Sequence, residues 1–301
     1  MKIYDLKTMQ ECEITQSTVV ALGTFDGAHL GHNRVFQEAF LKAKALGVKF
    51  AIYTFDTRAT KKVKNILTLE EKLKFIRKSL ADYVIIEDFD AIKEMEGQDF
   101  VKAVLIDKLK AVCGCCGFNY RFGKNGSCDA SDLATFFEKN GGSVVICNEI
   151  TLNGQTISST LIRSLIENGE IERILDFSPP YSVYARVQEG KKLGRTIGIP
   201  TINQQIPQDK ISPKRGVYIT ECEIGEDVYP SITNVGTRPT VEENGCENIE
   251  THIIDFDGTL YHSYIRINFY KRLRDEIKFD SLKELKNQIE KDILQAKKYF
   301  K

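Results

Sequence analysis

Consecutive prolines at positions 179 and 180 separate two halves of the chain that differ in their apolar pattern. Before them, short apolar runs of strand length alternate with amphipathic segments of helical length. This alternation is typical of βαβ units, whose strands form a parallel sheet covered by helices. Because paired prolines cannot continue a helix and favour an extended connector, we predict two domains, residues 1–178 and 179–301.

The first half therefore predicts an α/β domain with an open, mostly parallel sheet. A helix should begin near Gly31, because apolar residues follow it at helical spacing. These residues are Val35, Phe36, Ala39, Phe40 and Ala43. The predicted strands are residues 17–22, 50–55, 83–86, 111–113 and 143–146, and a further helix is predicted over residues 70–80.

The second half predicts an antiparallel sheet or β-barrel with a terminal helix. Its apolar residues alternate in short runs bounded by Gly, Pro and Asn, at residues 181–187, 216–220 and 264–269. Ser281 and Glu284 have the spacing of a capping box, and an apolar stripe that should pack on the barrel follows them. The stripe comprises Leu282, Leu285, Ile289, Ile293 and Ala296.

Charge and hydropathy exclude several classes of protein. The 42 basic and 42 acidic residues cancel, so the chain lacks the positive field of a dedicated nucleic-acid binder. The sequence contains neither a signal-peptide h-region nor an apolar run near the roughly 20 residues of a membrane span. We therefore expect a cytoplasmic protein that binds small molecules, with no nucleic-acid or membrane partner.

Cys113 and Cys116 have the C-x-x-C spacing of redox motifs and zinc half-sites. They lie in a small apolar run of strand length, and no second C-x-x-C or paired histidine completes a tetrahedral zinc site. Buried thiols in a reducing compartment are therefore favoured over a metal or redox centre.

A glycine-rich segment joins a predicted strand to a predicted helix, with the sequence Gly23-Thr24-Phe25-Asp26-Gly27-Ala28-His29-Leu30-Gly31-His32. Open α/β folds bind ligands where such strands end, and the next helix offers unpaired N–H groups that suit phosphate. His29 and His32 can both face that opening and stabilise the charge of a leaving pyrophosphate. Because two of the chain's four histidines lie in this turn, a ligand site is favoured over two core histidines.

A second candidate phosphate element combines hydroxyls at the start of a predicted helix with a guanidinium one turn later. Its residues are Ser159, Thr160 and Arg163. Taken alone, they are adequately explained as an N-cap and a solvated helix residue. Together with the histidine turn they suit a second clamp on a triphosphate, because a guanidinium matches phosphate geometry bidentately.

The β half contains a further glycine-rich segment, in which Gly194 and Gly198 precede Thr201 and Asn203. Glycine backbone can curl around phosphates, and the hydroxyl and amide oxygens are suitable ligands for Mg²⁺. By spacing alone, an ordinary β-turn explains the segment at least as well.

A hydroxyl that attacks phosphorus needs a base, and a later strand places two candidates on one face. These are Glu250 and His252, which are two residues apart. Either can serve on chemistry alone.

Taken together, these segments resemble the prokaryotic bifunctional riboflavin kinase/FMN adenylyltransferases, also called FAD synthetases. In the first half the resemblance rests on the histidine turn, on Ile157-Ser158-Ser159-Thr160 with Arg163, and on residues 117–123. In the second half it rests on Pro200-Thr201-Ile202-Asn203, Glu250, and residues 234–240 and 273–276. It extends over the length of the chain.

The resemblance implies a Rossmann-like nucleotidylyltransferase domain followed by a riboflavin kinase barrel. The barrel would phosphorylate riboflavin to FMN, and the first domain would adenylylate FMN to FAD with release of pyrophosphate; both would use Mg²⁺ and ATP. The implied residues for adenylyl transfer are His29 and His32, with ATP contacts at Gly23, Phe25, Asn119, Ser159, Thr160 and Arg163. Those implied for the kinase are Gly194 and Gly198 for ATP, Thr201 and Asn203 for Mg²⁺-ATP, Glu250 as base and Arg274 beside the flavin.

Two departures from the family pattern leave alternatives open. Many relatives carry arginine at the position of Leu161, and Pro-His-Pro is common where this chain has Thr57-Arg58-Ala59-Thr60. One alternative is therefore a riboflavin kinase whose N-terminal half has weakened or lost its activity. Others are a non-catalytic flavin or nucleotide sensor and nucleotide transfer to a different acceptor.

Overall fold

The computed structural model describes residues 1–8, 12–56, 63–190, 193–237 and 247–301. Predictions that rest on residues 57–60 and 238–240 lie outside these residues. The chain divides into two compact units, Met1–Ser159 and Thr160–Lys301.

The first unit is built on a six-stranded sheet in which every neighbouring pair is parallel. The strands of this unit are β1 (Lys2–Asp5), β2 (Thr18–Leu22), β3 (Lys49–Phe55), β4 (Tyr83–Glu87), β5 (Ala111–Gly117), β6 (Arg121–Phe122), β7 (Cys128–Asp129), β8 (Ser143–Cys147), β9 (Thr151–Leu152) and β10 (Gln155–Thr156). The sheet has the order β1-β4-β3-β2-β5-β8, and the short strands form two hairpins, β6-β7 and β9-β10. The predicted parallel sheet is confirmed; β1 was not predicted.

Helices cover both faces of this sheet, as buried parallel strands require. They are α1 (Leu30–Leu46), α2 (Leu69–Ile76), α3 (Phe89–Ile92), α4 (Gly97–Asp99), a π-helix (Phe100–Lys108), a 3-10 helix (Lys124–Gly126) and α5 (Ala130–Lys139). The predicted stripe of α1 is confirmed, since Val35, Phe36, Ala39 and Ala43 are buried. The helix predicted over residues 70–80 begins in a capping box between Thr68 and Glu71 and ends earlier than predicted, at Ile76.

The second unit contains a closed, six-stranded antiparallel barrel. Its strands are β11 (Tyr181–Gln188), β12 (Ile202–Gln205), β13 (Gly216–Ile224), β14 (Asp227–Thr237), β15 (Glu247–Ile253) and β16 (Tyr264–Arg274). Pairing of β11 with β16 closes the order β11-β12-β15-β14-β13-β16. The predicted antiparallel barrel is confirmed.

Helices of the second unit are α6 (Ser159–Asn168), which starts at the last residue of the first unit, a 3-10 helix (Ile171–Asp176), α7 (Leu193–Thr196) and α8 (Leu282–Tyr299).

The terminal helix α8 packs on the barrel through part of the predicted stripe. The side chain of Ser281 accepts a hydrogen bond from the backbone N–H of Glu284, which is one of the two hydrogen bonds of the predicted capping box. Ala296 is fully buried in a cluster with apolar barrel residues, against which Ile289 and Ile293 also pack. Leu282 does not follow the prediction, because its side chain is 51% exposed in the first turn of the helix.

The division into compact units lies before the prolines that suggested a boundary. The 3-10 helix at Ile171–Asp176 contacts β16, so this connecting segment is part of the second unit. The predicted domain boundary between residues 178 and 179 stays a prediction.

Candidate active sites

His29 and His32 stack on each other at the beginning of α1. Their ring centroids lie 3.7 Å apart at an interplanar angle of 26°. The Nδ1 atom of each ring is buried, and neither has a hydrogen-bond partner within the described part of the chain. Since a buried lone pair without a donor costs less than a buried N–H without an acceptor, the proton of each ring belongs on Nε2. The pair can therefore donate from Nε2 to a ligand.

The backbone of residues 23–32, the histidine turn, is unusual. Phe25 and Ala28 both have φ of 50°, and Gly27 has φ of 103°. The left-handed region costs a residue other than glycine about 1–3 kcal/mol, and such strain clusters at functional sites. The buried carboxylate of Asp26 stabilises this conformation by accepting hydrogen bonds from the backbone N–H groups of Ile66, at 3.0 Å, and Leu67, at 2.9 Å.

Both histidines are uncharged near neutral pH. Burial lowers the pKa of His29 to about 4, although the neighbouring carboxylate of Asp26 raises it. Burial also lowers the pKa of His32 well below its ordinary value, and His29 and Lys72 lower it further. Neutral imidazoles can donate hydrogen bonds to phosphate oxygens without themselves changing charge during a reaction.

Three more predicted contacts lie at or near the ends of adjacent strands β2 and β5. Asn119 follows β5 and is exposed, and Gly23 follows β2, where its N–H donates to the carbonyl of Tyr53 at 3.3 Å. The ring of Phe25 is only 2% exposed and packs against Phe36 with centroids 4.6 Å apart. Phe25 can therefore contact ATP through its backbone but not through its ring.

The second predicted phosphate element begins where the first unit ends. Ser159 starts α6, and its hydroxyl donates a hydrogen bond to the carbonyl of Asp26 in the histidine turn. Ser159 therefore contacts the turn directly, in addition to starting a helix. Thr160 is exposed and Arg163 half-buried, and both belong to the second unit, so their action as a pyrophosphate clamp stays a prediction.

The C-x-x-C cysteines lie inside the parallel sheet. Cys113, Cys115 and Cys116 are buried free thiols of β5. Their predicted burial is confirmed. Over the described ranges, the structure contains no cluster of three or more His, Cys, Asp or Glu residues that could hold a metal ion.

Polar side chains form a row across three adjacent strands of the barrel. Glu250 of β15 lies in register with Asn203 of β12 on one side and with Asn234 of β14 on the other. Cross-strand partners have Cβ atoms about 4.5–5.5 Å apart, so the carboxylate is flanked by two amides. Asn248 donates to the amide oxygen of Asn203 at 3.3 Å, and Asn234 donates to Glu276 at 3.0 Å. Glu250 itself is exposed and accessible to a substrate.

The glycine-rich segment of the barrel unit forms a tight turn beside this row. The N–H of Ile199 donates to the carbonyl of Gly194 at 2.8 Å, and Gly198 has φ of 79°, a left-handed value that favours glycine. A Cβ added to Gly194 would lie 2.2 Å from the carbonyl oxygen of Ile199 and 3.6 Å from the hydroxyl of Thr201. The backbone therefore curls next to Thr201, and its predicted contact with phosphates stays a prediction.

Thr201 also lines a pocket that is partly open to solvent. Residues that line it include Val187, Ile202, Thr251, Ile253, Phe256 and Tyr261. Apolar and aromatic side chains with a few hydroxyls are the usual lining of sites for small organic ligands.

Two family models match the chain in succession. A model described as FAD synthetase matches residues 11–161, and one described as riboflavin kinase matches residues 177–300. A Bacillus subtilis protein described as a bifunctional riboflavin kinase/FMN adenylyltransferase is 33% identical over 94% of this chain and 92% of its own length. A Haemophilus influenzae protein with the same description is 31% identical over 95% of this chain and 96% of its own length.

The chain belongs to the bifunctional riboflavin kinase/FMN adenylyltransferase family. It is therefore an enzyme with two activities, which make FMN and FAD from riboflavin and ATP. The FAD synthetase model matches mainly the first unit, which we call the adenylyltransferase unit, and the riboflavin kinase model matches the barrel of the second, which we call the kinase unit.

One solved structure from Streptococcus pneumoniae is similar over 99% of both chains, with a TM-score of 0.86 and 27% identity. That protein is described as a macrolide-efflux protein. In the present chain, none of the described helices is both long enough and apolar enough to traverse a bilayer.

Arg274 of the kinase unit forms an ion pair with the terminal helix. Its Nη2 and Nε atoms donate to the carboxylate of Asp292 at 2.7 and 3.1 Å. Asp292 is 1% exposed and also accepts a hydrogen bond from Gln288 at 2.9 Å. Arg274 therefore links α8 to the end of β16, and its predicted contact with the flavin stays a prediction.

The two candidate bases of the kinase unit differ in their surroundings. The Nδ1 of His252 lies 2.8 Å from the carbonyl oxygen of Pro200, to which it must donate because a carbonyl only accepts. Burial lowers the pKa of His252. Since Glu250 is exposed within a row of amides, we favour Glu250 as the base.

Sequence analysis missed two polar residues that the structure places at these sites, and it gave Asn234 no role of its own. Asn248 and Asn234 belong to the row around Glu250, and Lys72 is fully buried behind the histidine turn. Asn248 could have been found, because it precedes Glu250 by two residues and so shares its face of the strand. Nothing in the sequence singles out Lys72, since a lysine in an amphipathic helix is usually solvated.

Gly190 was also missed, and it packs directly against Asn203. A Cβ at Gly190 would lie 2.3 Å from the amide nitrogen of Asn203. Gly190→Ala should therefore displace this amide from Glu250 and lower FMN formation about 10- to 100-fold, because small misplacements of this kind have such effects. FAD formation from supplied FMN should not change. Gly225→Ala is the control for general destabilisation, since Gly225 lies in a β-turn of the same barrel with nothing near its Cβ position, and its φ of 63° strains alanine away from the site; equal effects of both variants on FMN formation would contradict the prediction.

Proposed function

We propose that FMN adenylylation takes place at the histidine turn and riboflavin phosphorylation at the row formed by Asn203, Glu250 and Asn234. The observation that carries the first assignment is the stacked, neutral pair of His29 and His32 at the N-terminus of α1. The second rests on the register that sets an exposed carboxylate between two amides.

In the adenylyl transfer, an oxygen of the FMN phosphate attacks the α-phosphorus of ATP. A new P–O bond forms, the bond from the α-phosphorus to the bridging oxygen of the β-phosphate breaks, and pyrophosphate leaves. His29 and His32 donate hydrogen bonds to phosphate oxygens whose negative charge increases as pyrophosphate leaves. The N-terminus of α1 adds backbone N–H groups and a positive dipole end.

In the kinase reaction, the ribityl 5′-hydroxyl of riboflavin attacks the γ-phosphorus of ATP, and ADP leaves. Glu250 accepts the proton of that hydroxyl as the new P–O bond forms. Asn203 and Asn234 lie opposite Glu250 on the two neighbouring strands and so flank its carboxylate. The curled backbone at Gly194 and Gly198 would follow the phosphates, and the pocket that Thr201 lines would receive the adenine base.

The side chains at this site fit a magnesium ion. Thr201 and Asn203 offer a hydroxyl and an amide oxygen, which are the hard ligands that Mg²⁺ accepts alongside substrate phosphates and water. A bound Mg²⁺ would neutralise phosphate charge during transfer. The donation from Asn248 orients the amide of Asn203 with its oxygen on a defined side.

One assay tests both assignments and the alternatives. The purified protein is incubated with riboflavin, ATP and Mg²⁺, or with FMN, ATP and Mg²⁺, and the flavins are separated by chromatography. We expect FMN and FAD from the first mixture, and FAD with one pyrophosphate per FAD from the second. FMN without FAD would refute the adenylyltransferase assignment and favour a weakened N-terminal half, to which Leu161 would then be relevant.

A further inference from the structure

Lys72 is buried beneath the adenylyltransferase site without touching solvent. It lies in α2, its side chain is 1% exposed, and its Nζ donates to the carbonyl oxygen of Phe55 at 2.8 Å. Phe55 is the last residue of β3, the strand that pairs with β2, after which the histidine turn begins. A single ammonium thus joins α2 to the end of the neighbouring strand.

A charged lysine is energetically unfavourable at this buried position. Removing an ammonium from water carries a large penalty, and an apolar side chain of similar length would fill the same space without it. A lysine is therefore expected here only where its charge is used.

The groups around Lys72 indicate what its positive charge does. The carboxylates of Asp26 and Asp56 attract its charge, and His32 lies within reach of its field. Asp26 is itself 3% exposed and fixes the histidine turn through its hydrogen bonds to Ile66 and Leu67. In a medium of low dielectric constant, a positive charge behind the histidines also attracts an anionic triphosphate in front of them.

We propose that Lys72 is a positioning residue of the adenylyl transfer: its buried ammonium holds the end of β3, beside the histidine turn, through the carbonyl of Phe55 and supplies positive charge behind the ATP phosphates. The inference rests on the proposed location of that reaction at the histidine turn. Lys72 makes no contact with substrate in this role; it acts through the end of β3 and through the electrostatic field of its charge.

The protonation of Lys72 gives this role a distinctive pH signature. Burial lowers the pKa of Lys72 to about 8, although Asp26 and Asp56 raise it. Lys72 therefore loses its charge as the pH rises from 7 to 9. Across the same range His29 and His32, whose pKa values are lowered, remain neutral.

The first experiment compares Lys72→Met with Lys74→Met in the full-length protein at pH 7. Methionine matches the length of the lysine stem without its charge, and Lys74 is an exposed lysine of the same helix. We expect Lys72→Met to lower kcat for FAD formation from FMN about 10- to 100-fold and to raise the KM for ATP. FMN formation by the kinase unit of the same molecules should stay within about twofold of wild type, as should both reactions of Lys74→Met.

The second experiment needs no variant. The ratio of FAD formation from FMN to FMN formation from riboflavin is measured for the wild-type protein from pH 7 to pH 9. We expect the ratio to fall about tenfold, following the deprotonation of Lys72, and any residual activity of Lys72→Met to lack this fall. Loss of the melting transition would reveal that Lys72→Met does not fold. In that case the pH dependence of the wild-type protein alone tests the role of Lys72.

Either of two results would overturn the inference: kcat and KM of Lys72→Met within twofold of wild type, or a constant wild-type ratio across this pH range. Failure of the underlying site assignment is distinguishable from both. It would appear as unchanged FAD formation in His29 and His32 variants, whatever the behaviour of Lys72.

Discussion

Replacing His32 or His29 with asparagine should lower FAD formation from FMN by about 100- to 1,000-fold, because each substitution removes a donor to the reacting phosphates. FMN formation from riboflavin should remain within twofold of wild type, since it takes place in the kinase unit. Glutamine should be the milder replacement. Its amide reaches the position of Nε2, whereas that of asparagine reaches only Nδ1, which is buried in both rings.

The measurement is the initial rate of pyrophosphate release with FMN and ATP for the asparagine and glutamine variants at both positions. His262→Asn provides the control, because His262 is an exposed histidine of the kinase unit with a positive φ that asparagine tolerates. If the asparagine variants were faster than the glutamine variants, the ring nitrogen that contacts the ligand would be Nδ1 rather than Nε2. Full activity in all four variants would show that the histidine turn takes no part in the adenylyl transfer.

The histidine turn could be predicted from the sequence because its signals are local. A buried apolar run, glycines and an amphipathic stripe follow one another within residues 18–46, and β2 and α1 form where these signals place them. The N-cap of α8 at Ser281 was predicted for the same reason. Periodicity says less about where an element ends, so α2 ends at Ile76 rather than at residue 80.

The surroundings of each site could not be predicted, since they depend on pairing between distant segments. The row around Glu250 needs the register of β12, β15 and β14, which no single segment encodes. Burial of Lys72 depends on how α2 meets the end of β3. The exposure of Leu282 likewise follows from where α8 first touches the barrel, although its helical spacing fits the stripe.

Glu250→Gln should lower kcat for FMN formation by about 100-fold or more, because the amide cannot accept the proton of the attacking hydroxyl. The KM for ATP should change little, since Thr201, Asn203 and the glycine-rich turn remain. FAD formation from supplied FMN should be unaffected. The measurement is ADP release with riboflavin and ATP, and Glu226→Gln is the matched control, as Glu226 is an exposed residue of the turn between β13 and β14.

His252 is the competing base, and one further variant separates it from Glu250. Asparagine at position 252 can still donate to the carbonyl of Pro200 from the place of Nδ1, so His252→Asn keeps the structural hydrogen bond and removes the basic nitrogen. If Glu250 is the base, His252→Asn should retain FMN formation within a few-fold of wild type. A wild-type rate for Glu250→Gln combined with a large loss for His252→Asn would assign the proton transfer to His252 instead, and the row of amides would then serve only to position Mg²⁺-ATP.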